Sequence, residues 1–293
     1  MPYVARRTIA ELSTLYELEP EIRDVFVEGS DDVVVLEWYL RQRSNCAFSV
    51  LEIGAIDVPL PVIEAHNLDG GNRDCVLALA MELSGQLKGP SRNCPTLIYD
   101  ADSDRLLESH RSIEMLIPTD FACLEMYLFN EATVDKMMSL VLRGCDVSVD
   151  QALKTLTSVL VRLWIIKAAN HMLGLSMSWI SFKKCCEISG ASIVFDENEF
   201  INRYLTNSSR SAERGRFTTQ MGKIESNLQD DPRYQIDGHH FFILARWYFR
   251  YFARDKSVLR GEEAFGRAFF GCLELEALDQ RPLFQQLLAR IAA

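Results

Sequence analysis

The stretch TLIYDADSD (96–104) crowds Asp100, Asp102 and Asp104 into five residues directly behind a short apolar run. A fourth acid, Glu28, closes a second apolar run, DVFVEG (24–29), at a glycine. Carboxylates this close repel one another unless water or a cation neutralises them. Hard oxygen donors suit Mg2+ or Mn2+, which bind through few carboxylates, several waters and a phosphate. On an extended segment residues i and i+2 share a face, so Asp100 and Asp102 are predicted to point the same way. If the two runs are neighbouring strands, Glu28 joins them. The chemistry such a trio supports is the binding of a divalent ion together with a phosphate group. The alternative is a solvated acidic turn.

The elements that must position these acids alternate. DVFVEG, AFSVLEIG (47–54), CPTLIYDAD and SIEMLIPT (112–119) are predicted strands. SDDVVVLEWYLRQR, capped at Ser30, and DGGNRDCVLALAMELSGQL are predicted helices between them. Strand–helix alternation of this kind implies βαβ units and a largely parallel, Rossmann-like sheet flanked by helices. Ligands then gather at the carboxyl ends of the strands, where these acids stand. Beyond the sheet the periodicity is almost wholly helical: near 131–143, 150–173, 196–205, 212–228, 238–254, 261–277 and 281–291, with an extended patch at 178–194. The expected organisation is an α/β catalytic domain over 1–145, then a mainly α-helical domain over 146–293.

The charge follows the same division. Residues 1–145 carry 24 acids against 12 Lys and Arg, whereas residues 146–293 carry 17 against 19. The net charge of −10 argues against a protein that coats nucleic acid indiscriminately. Eight cysteines show no CxxC pair and five histidines no zinc spacing, so the thiols are expected to be reduced and mostly buried. Charges interrupt every apolar stretch before it reaches a membrane-spanning length, and the first residues lack an apolar signal core. The expectation is a soluble cytoplasmic protein with no membrane contact.

An acidic site repels a polyanion, so cations must lie elsewhere. ARWYFRYFARDK (245–256) sets Arg246, Arg250 and Arg254 at i, i+4 and i+8, one stripe of a helix, with Trp247, Phe249, Tyr251 and Phe252 facing inward. SSRSAERGRF (208–217) brings Arg210, Arg214 and Arg216. Both stretches fit phosphate binding or an ordinary solvated face. His239 and His240 open the first of these helices and read as capping or packed side chains.

VFVEGSDDVVVLEWYL followed by TLIYDADSD resembles the Toprim domain of topoisomerases, bacterial primases and the OLD group of nucleases, over about residues 24–120. CLEMYLFN (123–130) and IDGHHFFILARWYF (236–249) resemble a narrower group, the AriB-like Toprim proteins, which act as effectors of PARIS anti-phage defence beside an ABC-type ATPase. The resemblance implies a Toprim N-terminal domain in which Glu28 is the acid/base or shared ligand and Asp100 and Asp102 hold Mg2+. It makes Asp104 an outer-sphere ligand or part of a solvated turn. It makes Glu125 a further site acid or a helix-start acid. The glycine turn Gly70-Gly71 falls where a phosphate can approach backbone amides, with Arg73 where many relatives carry Lys. Implied with it are cleavage of RNA, most plausibly tRNA, an ATPase partner that restrains the nuclease, and an active homodimer. A DNA-cutting OLD-like nuclease and a non-catalytic Toprim scaffold are the alternatives. A primase would bring a zinc module, which no cysteine spacing here supplies.

Overall fold

The computed structural model describes residues 6–102, 104 and 111–293. In chain order its strands are β1 (Arg7–Thr8), β2 (Asp24–Val27), β3 (Ser49–Glu52), β4 (Ile56–Asp57), β5 (Pro95–Tyr99), β6 (Leu116–Pro118), β7 (Cys186–Ser189) and β8 (Ser192–Phe195). The first four helices are α1 (Ile9–Leu18), α2 (Ser30–Arg43), α3 (Leu60–Ala65) and α4 (Asn72–Gln86). The chain is thus mixed α/β, as its alternating pattern predicts.

Four strands form one sheet in the order β3-β2-β5-β6, every pair parallel. β2 and β5 are neighbours, with Asp24, Val25 and Phe26 opposite Pro95, Thr96 and Leu97. Both strands are buried along their whole length, which is why they read as continuous apolar runs rather than alternating ones. Phe26, Leu97 and Tyr99 pack with Val76, Leu79 and Leu83 of α4 and with Leu12 and Tyr16 of α1. Each large apolar side chain buried this way contributes about 1.5–3 kcal/mol. Among the described residues, the one buried acid is Asp24. It accepts a hydrogen bond from Tyr16 Oη at 2.9 Å, and burial raises its pKa.

Helix α2 starts one residue earlier than its Ser30 cap predicts. Gly29 is the cap, and Asp32 Oδ2 accepts the Gly29 N–H at 3.0 Å. α1 escaped the sequence reading although Thr8 and Glu11 form a capping box, the reciprocal pair that marks a helix start.

The chain divides into two compact units. The first comprises the described residues up to Ala101, those of 111–120, and Leu275–Ala293; the second comprises Asp102, Asp104 and Phe121–Glu274. This differs from a division at residue 145. Within the first unit, Tyr39 Oη and Arg43 both donate to Asp279, and Leu283 N donates to Asp120. Arg290 donates to Thr96 Oγ1 and to the carbonyls of Arg92 and Pro95. The last helix therefore returns to the sheet, which a reading along the chain does not see.

The second unit is mainly helical around Val149–Met172, whose Leu156, Leu160, Leu163 and Ile166 are fully buried. The extended patch expected at 178–194 is the antiparallel hairpin β7–β8, turned at Gly190 with φ of 59°. The helix expected over 261–277 is two, Glu262–Phe270 and Leu275–Asp279. No helix among the described residues is long and apolar enough to cross a membrane. All eight cysteines are free, five of them buried.

Candidate functional site

The adjacency of β2 and β5 brings Glu28 to Asp100. Glu28 Oε1 accepts the Asp100 N–H at 2.8 Å, so a side chain one residue past β2 meets the backbone one residue past β5. The other polar backbone groups here are also tied. Asp100 O accepts from Arg73 Nε at 3.1 Å, Ala101 N donates to Thr119 Oγ1 at 3.0 Å, and Glu28 O accepts from Asn72 Nδ2 at 2.7 Å. Asn72 and Arg73 open α4, and two glycines at φ of 107° and 101° turn the chain into it. Only glycine adopts that backbone without strain, so the Gly70-Gly71 turn aims the start of α4 at both strand ends.

The sequence allows that stretch to be a simple turn or, with Arg73, a phosphate cradle. Gly70 N and Asp69 N both donate to Asp74 Oδ2, at 2.8 and 3.0 Å, so a carboxylate of the same loop takes these amides. The Arg73 guanidinium lies 5.3 Å from the Tyr99 ring centroid, while its Nε holds the Asp100 carbonyl. Arg73 thus positions the end of β5.

Asp102 belongs to the second unit. β5 ends at Tyr99, and Asp102 adopts φ of 42°, the left-handed region that Asp tolerates better than most residues. The extended geometry that would align Asp102 with Asp100 by an i, i+2 rule is therefore absent. Asp102 N donates to Ala122 O at 2.7 Å, and Ala122 N donates to Arg233 O at 3.1 Å, which fixes the turn within its own unit. Asp104 is partly buried in the same unit.

Glu125 sits in a single 3-10 turn, Leu124–Tyr127. Its carboxylate approaches Gly238 so closely that a Cβ there would stand 2.3 Å from Glu125 Cδ. Gly238 begins the helix Gly238–Phe252, whose positive end favours the charge. Asp237 caps that helix by accepting the His240 N–H at 3.0 Å and pairs with Lys167. Burial opposes the charged form of Asp237, but His240, Lys167 and the capping N–H outweigh it and hold the carboxyl at about 2. Burial likewise opposes charge on Lys167. Asp237 foremost, then Asp102 and Cys123, reverse that and leave its pKa raised.

Lys167 and Asp237 were missed in the sequence reading. The visible signal was one lysine in the apolar stretch WIIKAAN and an Asp directly before GHH. His240 is packed, as read: its ring lies 4.6 Å from Trp179, and burial lowers its pKa to about 4. His239 is exposed.

The arginines are distributed differently from one stripe. Arg246 pairs with Glu262 at 3.2 Å, and Arg250 Nη2 donates to Leu259 O at 2.9 Å, so both brace the following segment. The helix stops at Phe252, which removes Arg254 from it. Of the aromatics expected to face inward, Tyr251 is 55% exposed. Arg214 opens the helix Arg214–Glu225 and donates to Asn202, Arg216 pairs with Glu213, and Arg210 is exposed. Arg254 instead lines a hollow of about 310 Å³ with Arg143, Lys256 and Arg260. Asp255 enters the same hollow, its pKa lowered first by the Ser257 N–H and then by Arg143 and Arg260. Lys256 closes the basic stretch ARWYFRYFARDK, whereas Arg143 and Arg260 lie outside it and gave no motif.

Among the described residues no group of three or more His, Cys, Asp or Glu is converged as for a metal ion. The Glu28 carboxylate meets the backbone N–H of Asp100, and the side chains of both residues offer oxygen donors. They fit Mg2+, a cation commonly held by one or two carboxylates with water and substrate phosphate completing its shell. No family model matches the chain, and no curated protein matches it.

Proposed function

We propose that the chain is a Toprim-type, metal-dependent nuclease. The observation that carries this reading is the hydrogen bond of 2.8 Å from Asp100 N to Glu28 Oε1, across the carboxyl ends of adjacent parallel strands. That is where an open parallel sheet collects ligands. Glu28 and Asp100 would hold the ion; Asp102, Asp104 and Glu125 are added to its acids by the resemblance alone. A divalent ion supplies polarisation of a phosphoryl oxygen and a lowered pKa for a water.

The chain's own residues do the rest. Glu28 accepts the proton of the attacking water, an acid/base role that a strand-end carboxylate fixed by a backbone N–H can perform without reorganisation. Arg73 and Asn72 keep the two strand ends in register. The basic hollow around Arg254 offers phosphates a counter-charge that the acidic site does not.

The wider reading rests on the resemblance alone. In it the substrate is RNA, specifically tRNA, an ABC-type ATPase restrains a toxic anti-phage effector, and the active form is a homodimer in the cytoplasm.

The test is cleavage of total RNA and of plasmid DNA with Mg2+ or Mn2+, comparing wild type with Glu28→Gln, which keeps the hydrogen-bond acceptor. Metal-dependent cleavage by wild type and its loss in a folded Glu28→Gln are expected. Cleavage retained by the folded variant, or none by wild type with either metal, overturns the reading.

A further inference from the structure

Within the second unit, Asp102 is one of the residues lining a cleft of about 450 Å³. This is ample for one nucleotide and small for a duplex, since cavities for small ligands run from about 300 Å³ upward. Trp164, Ile224 and Leu228 supply apolar wall, Tyr234 a ring, and Lys223 a cation. Lys223 is exposed on the helix Arg214–Glu225 and makes no ion pair among the described residues.

The wall that carries Tyr234 is set in advance. Gln235 is buried, its Nε2 donating to the carbonyls of Gln229 and Asp231 at 2.7 and 3.1 Å and its Oε1 accepting the Gln229 N–H at 3.0 Å. Arg233 is forked onto Asp231 and lies 4.0 Å over the Phe121 ring, whose centroid is 5.5 Å from that of Tyr234. The backbone links Asp102–Ala122 and Ala122–Arg233 join this wall to the candidate acid. A cleft with aromatic and apolar walls, amide side chains and a lysine that makes no ion pair among the described residues matches an unstacked base with its phosphate.

We propose that this cleft seats one unpaired nucleotide of a nucleic-acid strand, the base against Tyr234 and the Trp164 wall and the phosphate at Lys223. The inference rests on the nuclease reading for its purpose, and it restricts the substrate class to single-stranded segments such as loops and ends.

The test is fluorescence anisotropy in EDTA with a 5′-fluorescein single-stranded RNA 12-mer, the DNA of the same sequence, the RNA duplex, and the RNA strand with abasic positions. Because no cleavage occurs in EDTA, this result stands or falls apart from the catalytic assay. Wild type is expected to bind the intact single strand about tenfold more tightly than the abasic strand. Tyr234→Ala and Lys223→Ala are each expected to weaken the intact strand, with Tyr234→Phe restoring the loss at that position. The relative affinity of RNA and DNA assigns the sugar. Wild type that does not bind the strand, prefers the duplex, or holds the abasic strand as tightly as the intact one overturns the proposal. So does binding indifferent to both Tyr234→Ala and Lys223→Ala. Lys223 lies on an exposed helix face, so its variant reports even if Tyr234→Ala loses stability.

Discussion

Glu28 and Asp237 are both carboxylates at the edge of a regular element, and the chain holds them by different means. Glu28 follows a buried strand and takes the backbone N–H of a neighbouring strand's end. Asp237 precedes a helix, caps it, and pairs with Lys167. The cap stabilises its own helix, whereas the strand-end acid places a charge where the sheet collects ligands. On the proposed reading one arrangement serves stability and the other chemistry, and substitutions at each should separate the two roles.

The largest expected effect is at Glu28. Glu28→Gln should lower metal-dependent cleavage by about 10²- to 10⁴-fold. Urea unfolding should shift by no more than about 1 kcal/mol, since the backbone N–H keeps an acceptor. A loss of stability well beyond that would make Glu28 a structural acid.

At the helix start the effects fall on stability. Gly238→Ala drives a Cβ into the Glu125 carboxylate and should cost about 1–3 kcal/mol. Combining it with Glu125→Ala should recover most of that cost, because the two sites share one contact. Simple additivity would mean that Glu125 does not occupy the space beside Gly238.

Acid should act through His240. Burial lowers its pKa from 6.5 to about 4. The neutral ring therefore stabilises the fold fully above about pH 6.5, and this contribution fades as the pH falls toward 4. Roughly 2 kcal/mol should disappear between pH 7 and pH 5, and His240→Phe should flatten that dependence. An unchanged pH profile in the variant would show that His240 titrates normally.

Asp237→Ala should have the smallest effect, about 1 kcal/mol from the lost cap. Its partner Lys167 is 51% exposed, so the ion pair adds little. Cleavage abolished at unchanged stability would reverse the comparison and move Asp237 into the chemistry.

Much of this was legible in the sequence where a local rule applied. β2 and β5 were visible as apolar runs bounded by glycine or acid, and their parallel sense followed from the helices between them, but their adjacency entered only as a condition. The meeting of Glu28 with Asp100 needed only strand adjacency. Asp102 was not legible, because the i, i+2 rule holds only while the strand continues, and a hydrogen bond to Ala122 turns the chain first. The arginine stripe failed for a related reason, with Arg254 lying past a helix end that periodicity does not mark. The return of Arg290 to Thr96 and the convergence of Arg143 with Arg260 are tertiary events that leave no local signal.

The central claim is that the carboxylates after β2 and β5 clasp a hard divalent cation. Calorimetric titration of Mn2+ into wild type, Glu28→Gln and Asp100→Asn tests it without any substrate. One saturable site in wild type, weakened at least tenfold in both variants while their circular dichroism is unchanged, is the predicted result. Equal Mn2+ affinity in all three proteins would contradict it.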